Sequence, residues 1–278
     1  MVEGDASDFQ VHLNGCKQLR RLPHFIPIPS DANNQVQSIC NVLTLLARTT
    51  SPDLEPLPWK SRETLFSCPR HFLRNNRSVE YIYGFTPTLG QLLWRTCEIS
   101  QHLAFYKGQR IPPDLVTESE VLRDELLTWH IDSESFYLIN SDEQTSLEIV
   151  HCQARAFHAA VVIFYNRTID NNNNPVDMHS QVQSIWANLT QAENLKDDSI
   201  DTSKRTAPMS WPAFIASCEA TDRQPWIEWW TRIQGYGVGN FRRQWRIIQQ
   251  VWAIMDTNEN VTDWRNALRR TGKLILPI

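Results

Sequence analysis

DEQTSLEIVHCQARAFHAAVVIFYNRTI, Asp142 to Ile169, decides the fold. Leu147, Val150, Ala154, Phe157, Val161 and Phe164 recur at alternating steps of three and four, the period of an α-helix, and Tyr165 joins them. Other apolar residues fill much of the remaining circumference, interrupted by Arg155 and His158. A helix that is apolar on most sides must be covered by other elements. This one is therefore expected at the centre of a helical body. No uninterrupted apolar run reaches the roughly 18 residues of a membrane span, so none is expected.

The flanking sequence keeps the same period. Phe9, Leu13, Cys16 and Leu19 predict an amphipathic helix ending before Pro23. HFIPIPSDANN is a proline-broken connection, and Val36, Ile39, Cys40, Leu43 and Leu46 form a second stripe. Residues 49–60, with Pro52, Pro56 and Pro58, read as an extended linker, and Ser61 to Tyr83 as one further helix with an irregular flank. Thr86-Pro87 opens the next helix, since Thr caps and Pro suits the first helical position. Leu89, Leu92, Leu93, Thr96, Ile99 and Leu103 share its face. Glu118 to His130 carries Val121, Leu122, Leu126 and Trp129.

Beyond the central helix, Asn171 to Asn174 break the pattern, and Pro175 to Leu189 restarts it with Val182, Ile185 and Leu189. Residues of about 190–207 are polar and predict a flexible surface loop. Pro212 to Cys218, Pro225 to Ile233, Asn240 to Met255 and Val261 to Arg270 complete the helices, and LILPI is expected to pack across the bundle as a tail. No alternating run is long enough for a sheet. The expected fold is all-α: a single domain over residues 1–278, built of stacked antiparallel helical hairpins in a TPR-like array without a true repeat consensus.

Composition agrees. The chain has 278 residues, 41% hydrophobic and 21% charged, in the range of a soluble globular protein. Nine glycines are few for a hairpin-rich β fold, and eleven tryptophans supply large areas for helix packing. A net charge of −4 argues against direct nucleic-acid binding, which needs a basic excess. The acidic start MVEGDASDFQ is not a secretory signal, so the chain is expected to be intracellular and its sequons at Asn76, Asn166, Asn188 and Asn260 without glycan. Cys16, Cys40, Cys68, Cys97, Cys152 and Cys218 lie far apart with no C-x-x-C pair. They read as small buried residues, not as zinc ligands or disulfides.

Few constellations point to chemistry. His12 and Cys16 have the i, i+4 spacing of paired ligands, but nothing completes a metal site. His151, His158 and Tyr165 recur every seven residues and can line a polar pocket, or serve as hydrogen-bonded interior groups. Glu219 ends the block WPAFIASCEATD and is expected to pair with Arg242, Arg243 or Arg246, or to accept backbone amides. Those arginines, with Phe241 and Trp245, mix basic and aromatic groups as single-strand grooves do, and as any solvated helix does. GYGVGN, Gly235 to Asn240, lacks the phosphate-loop patterns; its glycines are expected to stop one helix, with Asn240 capping the next. No catalytic, cofactor-binding or metal-binding residue is assigned, and no cofactor is expected.

Five blocks, in order, carry a resemblance: HLNGCKQLRRL (His12 to Leu22), IYGFTPTLGQLLWRTCEIS (Ile82 to Ser100), HCQARAFHAAVVIFYNRTI (His151 to Ile169), WPAFIASCEATD (Trp211 to Asp222), and GVGNFRRQWRIIQQVWAIMD (Gly237 to Asp256) with DWRNAL (Asp263 to Leu268). Together they resemble the helical regulatory domain of fungal zinc-cluster transcription factors, the fungal-specific transcription factor domain of the arginine-regulator type. Glu219 matches that family's acidic position. The resemblance implies a nuclear regulatory scaffold in transcription regulation, working through coregulator proteins, a DNA-binding partner chain or a small-molecule effector, with a homodimer as one form. Membrane contact is not implied. The six-cysteine zinc module is not in this sequence, so zinc and direct DNA binding do not carry over. The family places more helical sequence before a block like HLNGCKQL, so the chain is expected to begin inside the family's region. An effector site is expected in a groove between helices lined by aromatic side chains. Two other readings stay open: a helical enzyme catalysing proton transfer or isomerisation of an apolar substrate, through His151, His158, Tyr165 and Glu219, and a non-catalytic interaction scaffold.

Overall fold

The computed structural model describes residues 15, 18, 31–51, 56–60, 84–134, 136, 144–172, 174–198, 206–258, 261–273 and 275. These form nine α-helices: α1 (Asp31–Thr50), α2 (Pro87–Phe105), α3 (Pro113–Thr128), α4 (Gln144–Thr168), α5 (Pro175–Asp197), α6 (Trp211–Glu219), α7 (Gln224–Ile233), α8 (Gly239–Thr257) and α9 (Trp264–Thr271). Single 3₁₀ turns lie at Ile131–Ser133 and Gln234–Tyr236, and no strand occurs among the described residues. The fold is all-α. The helices expected over Phe9 to Leu19 and Ser61 to Tyr83 fall outside the described residues, save that Gly15 and Gln18 are helical.

The starts follow local chemistry. Thr86 Oγ1 accepts from Leu89 N at 3.2 Å, with Pro87 in the first helical position. Asn174 Oδ1 accepts from Val176 N at 3.2 Å ahead of α5, and Asp263 Oδ1 accepts from Arg265 N at 2.9 Å ahead of α9. α3 begins at Pro113 rather than at Glu118, because a proline loses nothing in a first turn and Leu115, fully buried, belongs to the core face. α8 begins at Gly239 with Val238 as its cap, so Asn240 is already inside the helix; Gly237, at φ 72°, ends the preceding 3₁₀ turn.

Two other expectations are corrected. The buried face of α1 is Val42, Leu45, Leu46 and Thr49; Ile39 is 42% exposed and Cys40 and Leu43 are half-buried. Polar bonds at the helix end set this rotation. Arg48 donates to Glu98 at 2.6 Å and stacks on Trp94, while Trp211 Nε1 donates to Thr49 Oγ1 at 2.8 Å. The loop expected from about residue 190 starts later, since α5 stays helical to Asp197. Its polar end is buried because its charges are paired: Lys196 Nζ donates to Glu193 at 2.7 Å and to Thr206 O at 3.1 Å, and Tyr236 OH donates to Glu193 at 2.7 Å.

α4 is central, with thirteen buried residues. By length and composition alone it is apolar enough to cross a membrane, but its burial by α2, α3, α5 and α6 is the setting of a core helix. α5 runs antiparallel to it: Asn166 near the end of α4 meets Met178, and Glu148 near its start meets Gln191. α3 also runs antiparallel, with Tyr165 bonded to Ser119 and His158 to Leu126. α6 is the plug, all nine of its residues being buried. Trp211 packs on Phe157 with ring centres 4.7 Å apart, and Phe157 meets Phe85 edge-on at 4.7 Å. From the other side, Trp230 Nε1 donates to Ser217 Oγ at 2.9 Å and Trp252 Nε1 to Ser217 O at 2.8 Å. One small residue thus joins α7 and α8 to α6. Near the C-terminal end, Ile275 is buried and its carbonyl accepts from Thr50 Oγ1 at 2.7 Å. The rest of LILPI lies outside the described residues.

Candidate functional site: an aromatic groove over a buried ion pair

A groove of about 390 Å³ opens between α5 and the link from α6 to α7. α5 contributes His179, Val182, Gln183, Trp186 and Ala187, which share one helix face at i, i+3, i+4, i+7 and i+8. Pro225 and Trp226 of α7 form the opposite wall, and Thr221 and Asp222 the link. The volume falls in the range of small-ligand sites, and the walls are mostly apolar with a few polar groups, as such sites require. Trp186 is 37% exposed while Trp226 is buried, so one indole is open to a ligand and the other is held.

Glu219 lies at the end of α6 against this groove. Its partner is Arg167 of α4, not Arg242, Arg243 or Arg246. Arg167 Nε donates to Glu219 Oε1 at 2.6 Å and Nη2 donates to Oε2, a two-pronged pair with both side chains 1% exposed. Arg167 Nη1 also donates to Asn172 O at 2.9 Å, and Arg265 donates to Arg167 O. A buried pair gains enough only when geometry and extra hydrogen bonds compensate both desolvated ions. Here the pair ties α4 and α6 to the turn after α4 and to α9. The link is fixed as well: Arg223 holds Asp256 through two bonds of 2.7 Å and lies 4.9 Å over the Trp252 ring. A second recess, of about 250 Å³, shares Glu219 and Thr221 with the groove and reaches Arg167 and Asp256.

Most of the other described residues singled out in the sequence make packing contacts. His151, His158 and Tyr165 lie along the face of α4 that meets α3 and the segment after it. The His158 ring stacks on Trp129 at 4.3 Å, and its Nε2 is 2.8 Å from Leu126 O. A carbonyl only accepts, so Nε2 carries the proton. Burial holds its pKa below the usual histidine value, and burial with nearby Arg155 does the same for His151, which packs on Phe136 at 5.1 Å. Tyr165 OH donates to Ser119 O at 2.8 Å, and burial pushes its pKa up to about 12. The three make separate contacts, and Glu219 is engaged elsewhere, so no acid–base pair forms among the four. Cys97, Cys152 and Cys218 are buried with thiols raised by desolvation, Cys97 to about 12 and Cys152 to about 11, whereas Cys40 is half-buried. Arg242 and Arg246 are exposed on α8, but Phe241 is buried and Trp245 stacks on Trp230, so the aromatic groups do not form a platform beside them. His12 and Cys16 lie outside the described residues, among which no group of three or more His, Cys, Asp or Glu is placed to hold a metal.

Both groove indoles, Trp186 and Trp226, are residues that sequence reasoning passed over. Trp186 sits beside the stripe of Val182, Ile185 and Leu189, and its signal is a large aromatic at the edge of an apolar stripe. The arrangement is suited to gripping a molecule, since two indoles and a carboxylate already neutralised by arginine offer contact area and no activated nucleophile. No curated protein and no solved structure matches the chain. A family model described as the fungal specific transcription factor domain matches residues 1–277, nearly the whole sequence. The ordered blocks and the all-helical body thus have a common origin: the chain belongs to the fungal specific transcription factor domain family.

Proposed function

We propose that the chain is a regulatory domain in transcription regulation that works in the nucleus through protein or small-molecule contacts rather than through DNA contacts made by these helices, and without catalysis. The observation that carries this reading is the aromatic groove beside the Arg167–Glu219 pair. A ligand between Trp186 and Trp226 bridges α5 and α7, and so stabilises whichever packing of these helices gives it both walls. Such a ligand shifts the population toward that packing by as much as its affinity differs between the two. A coregulator or a DNA-binding partner chain that reads the same helices then senses the ligand without touching it. A homodimer is compatible with this mechanism and is not required by it.

The test fuses the chain to an unrelated DNA-binding module in a fungal host, with a fluorescent tag to follow its location. A changed reporter output that Trp186→Ala alters, from a nuclear fusion, is the expected result. A fusion that is inert under every growth condition, or that responds identically with Trp186→Ala, sinks the proposal.

A further inference from the structure

A larger recess, of about 530 Å³, lies where the last turn of α1 meets α2, the end of α4 and α9. It shares no residue with the aromatic groove. Its floor is apolar, with Phe164, Trp264 and Leu268 all buried. Its charged lining residues are Arg48, Arg265, Arg269 and Lys273, and no described lining residue is acidic. Two of these cations are already engaged. Arg48 is held by Glu98, and Arg265 by Asp263 at 2.7 Å. The other two face outward: among the described residues, exposed Arg269 bonds Asn266 Oδ1 alone, at 2.8 Å, and exposed Lys273 makes no side-chain bond. Ser51 and Ser100 add hydroxyls without a partner there. Trp264 is fully buried, and its Nε1 donor has no acceptor among the described residues. A negative helix end accounts for one arginine in the last turn of α9. It does not account for an apolar-floored recess supplied with donors from elements more than 200 residues apart and with no acidic acceptor among its described lining residues.

We propose that this recess is a second binding site, for a small amphipathic anion: an aromatic or aliphatic body bearing a carboxylate or phosphate. The body lies against Ala104 and the accessible edges of Phe164 and Leu268, above the buried Trp264, and the head takes hydrogen bonds from Arg269 and Lys273, which arginine's planar fork and lysine's point charge both suit. A duplex is a poor occupant, since its phosphates need a broad basic face and not a walled recess in a chain of net charge −4. Because the walls come from α1 and α9 together, occupancy clamps the two ends of the helical body to each other.

Isothermal titration of the full chain with benzoate, phenyl phosphate, benzamide and inorganic phosphate tests the site. We expect benzoate or phenyl phosphate to bind with a Kd below about 1 mM, at least about tenfold tighter than neutral benzamide and than inorganic phosphate. Which of the two binds identifies the head group. The exposed pair Arg269→Ala with Lys273→Ala weakens binding about tenfold or more with an unchanged far-ultraviolet dichroism spectrum. Ala104→Trp, at an exposed lining position, blocks binding while leaving every charge in place. Failure of both organic anions to bind, equal binding of benzamide, equal binding of inorganic phosphate, or unchanged binding in either variant overturns the proposal.

Discussion

Replacing Glu219 by alanine leaves Arg167, 1% exposed, without its carboxylate. Removing one partner of a buried pair costs about 3–5 kcal/mol, because the remaining ion stays desolvated. Glu219 lines two recesses, so water has a route to the stranded guanidinium, and Arg167 keeps its bond to Asn172 O. Both features put the cost near the lower end, about 3 kcal/mol. A domain's whole stability is about 5–15 kcal/mol, so the variant folds but unfolds at markedly lower urea. The assay is equilibrium urea unfolding followed by helical dichroism. The diagnostic comparison is Arg167→Met with Glu219→Leu, which removes both charges and keeps most of the volume. It should lie within about 1–2 kcal/mol of the wild type, well above Glu219→Ala alone, since apolar replacement of a buried pair is often neutral. A cost below about 1 kcal/mol for Glu219→Ala, or a double variant weaker than the single one, would refute the claim that the carboxylate exists to satisfy a trapped cation.

Gly84 has φ 61°, and a Cβ there would lie 2.6 Å from Ala154 N and 2.8 Å from Val150 O, both backbone atoms of the central helix. Gly84→Ala should therefore cost more than about 2 kcal/mol, whereas Gly237→Ala, at φ 72° in open space, costs only the roughly 1–2 kcal/mol of the left-handed conformation; thermal melts rank the two. His158 has its native pKa pushed below the unfolded value of about 6.5, so the unfolded chain binds more protons between the two values. Stability should be fully present above about pH 6.5, fall as pH drops through that value by at most about 1.4 kcal/mol per unit for this group, and level off below the native pKa; His158→Phe flattens that slope in urea titrations at several pH values, and His151, also lowered by burial, contributes to the slope that remains. Iodoacetamide applied to the native protein at pH 8 should leave Cys97, Cys152 and Cys218 unmodified by peptide mass analysis, since the thiolate is the reactive form and burial suppresses it.

What the sequence disclosed depended on how local each signal was. The cap of Thr86 and the all-round apolarity of α4 act within a few residues, and both are found where the pattern put them. The seven-residue spacing of His151, His158 and Tyr165 also has a cause, because it matches the seam with α3; the pattern carries the repeat but not the identity of Leu126 and Ser119 as partners. α1 shows where periodicity fails: its apolar residues allow two faces, and the bonds that Arg48 donates to Glu98 and Thr49 accepts from Trp211 select one. The end of α5 reads as loop because Glu193 and Lys196 look solvated, and only Tyr236 and Thr206 make their burial tolerable. Glu219 was legible as a carboxylate in need of a partner, either an arginine of α8 or backbone amides. Its choice of Arg167, 52 residues upstream, over the nearer arginines of α8 is a property of the assembled core. The sequence suggests an aromatic cleft between helices as the place for an effector without saying where, and Trp186 and Trp226 meet in one through packing.

The tryptophans between α7 and α8 have an optical consequence. Trp226, Trp229, Trp230, Trp245 and Trp252 form a continuous file, with successive ring centres 6.3, 5.2, 6.3 and 5.3 Å apart. At such spacings an absorbed photon is delocalised or passed along before it is emitted, so the five indoles do not behave as independent chromophores. Trp226 stands at one end of the file and forms a wall of the groove, so a molecule arriving there alters the emission of rings it never touches.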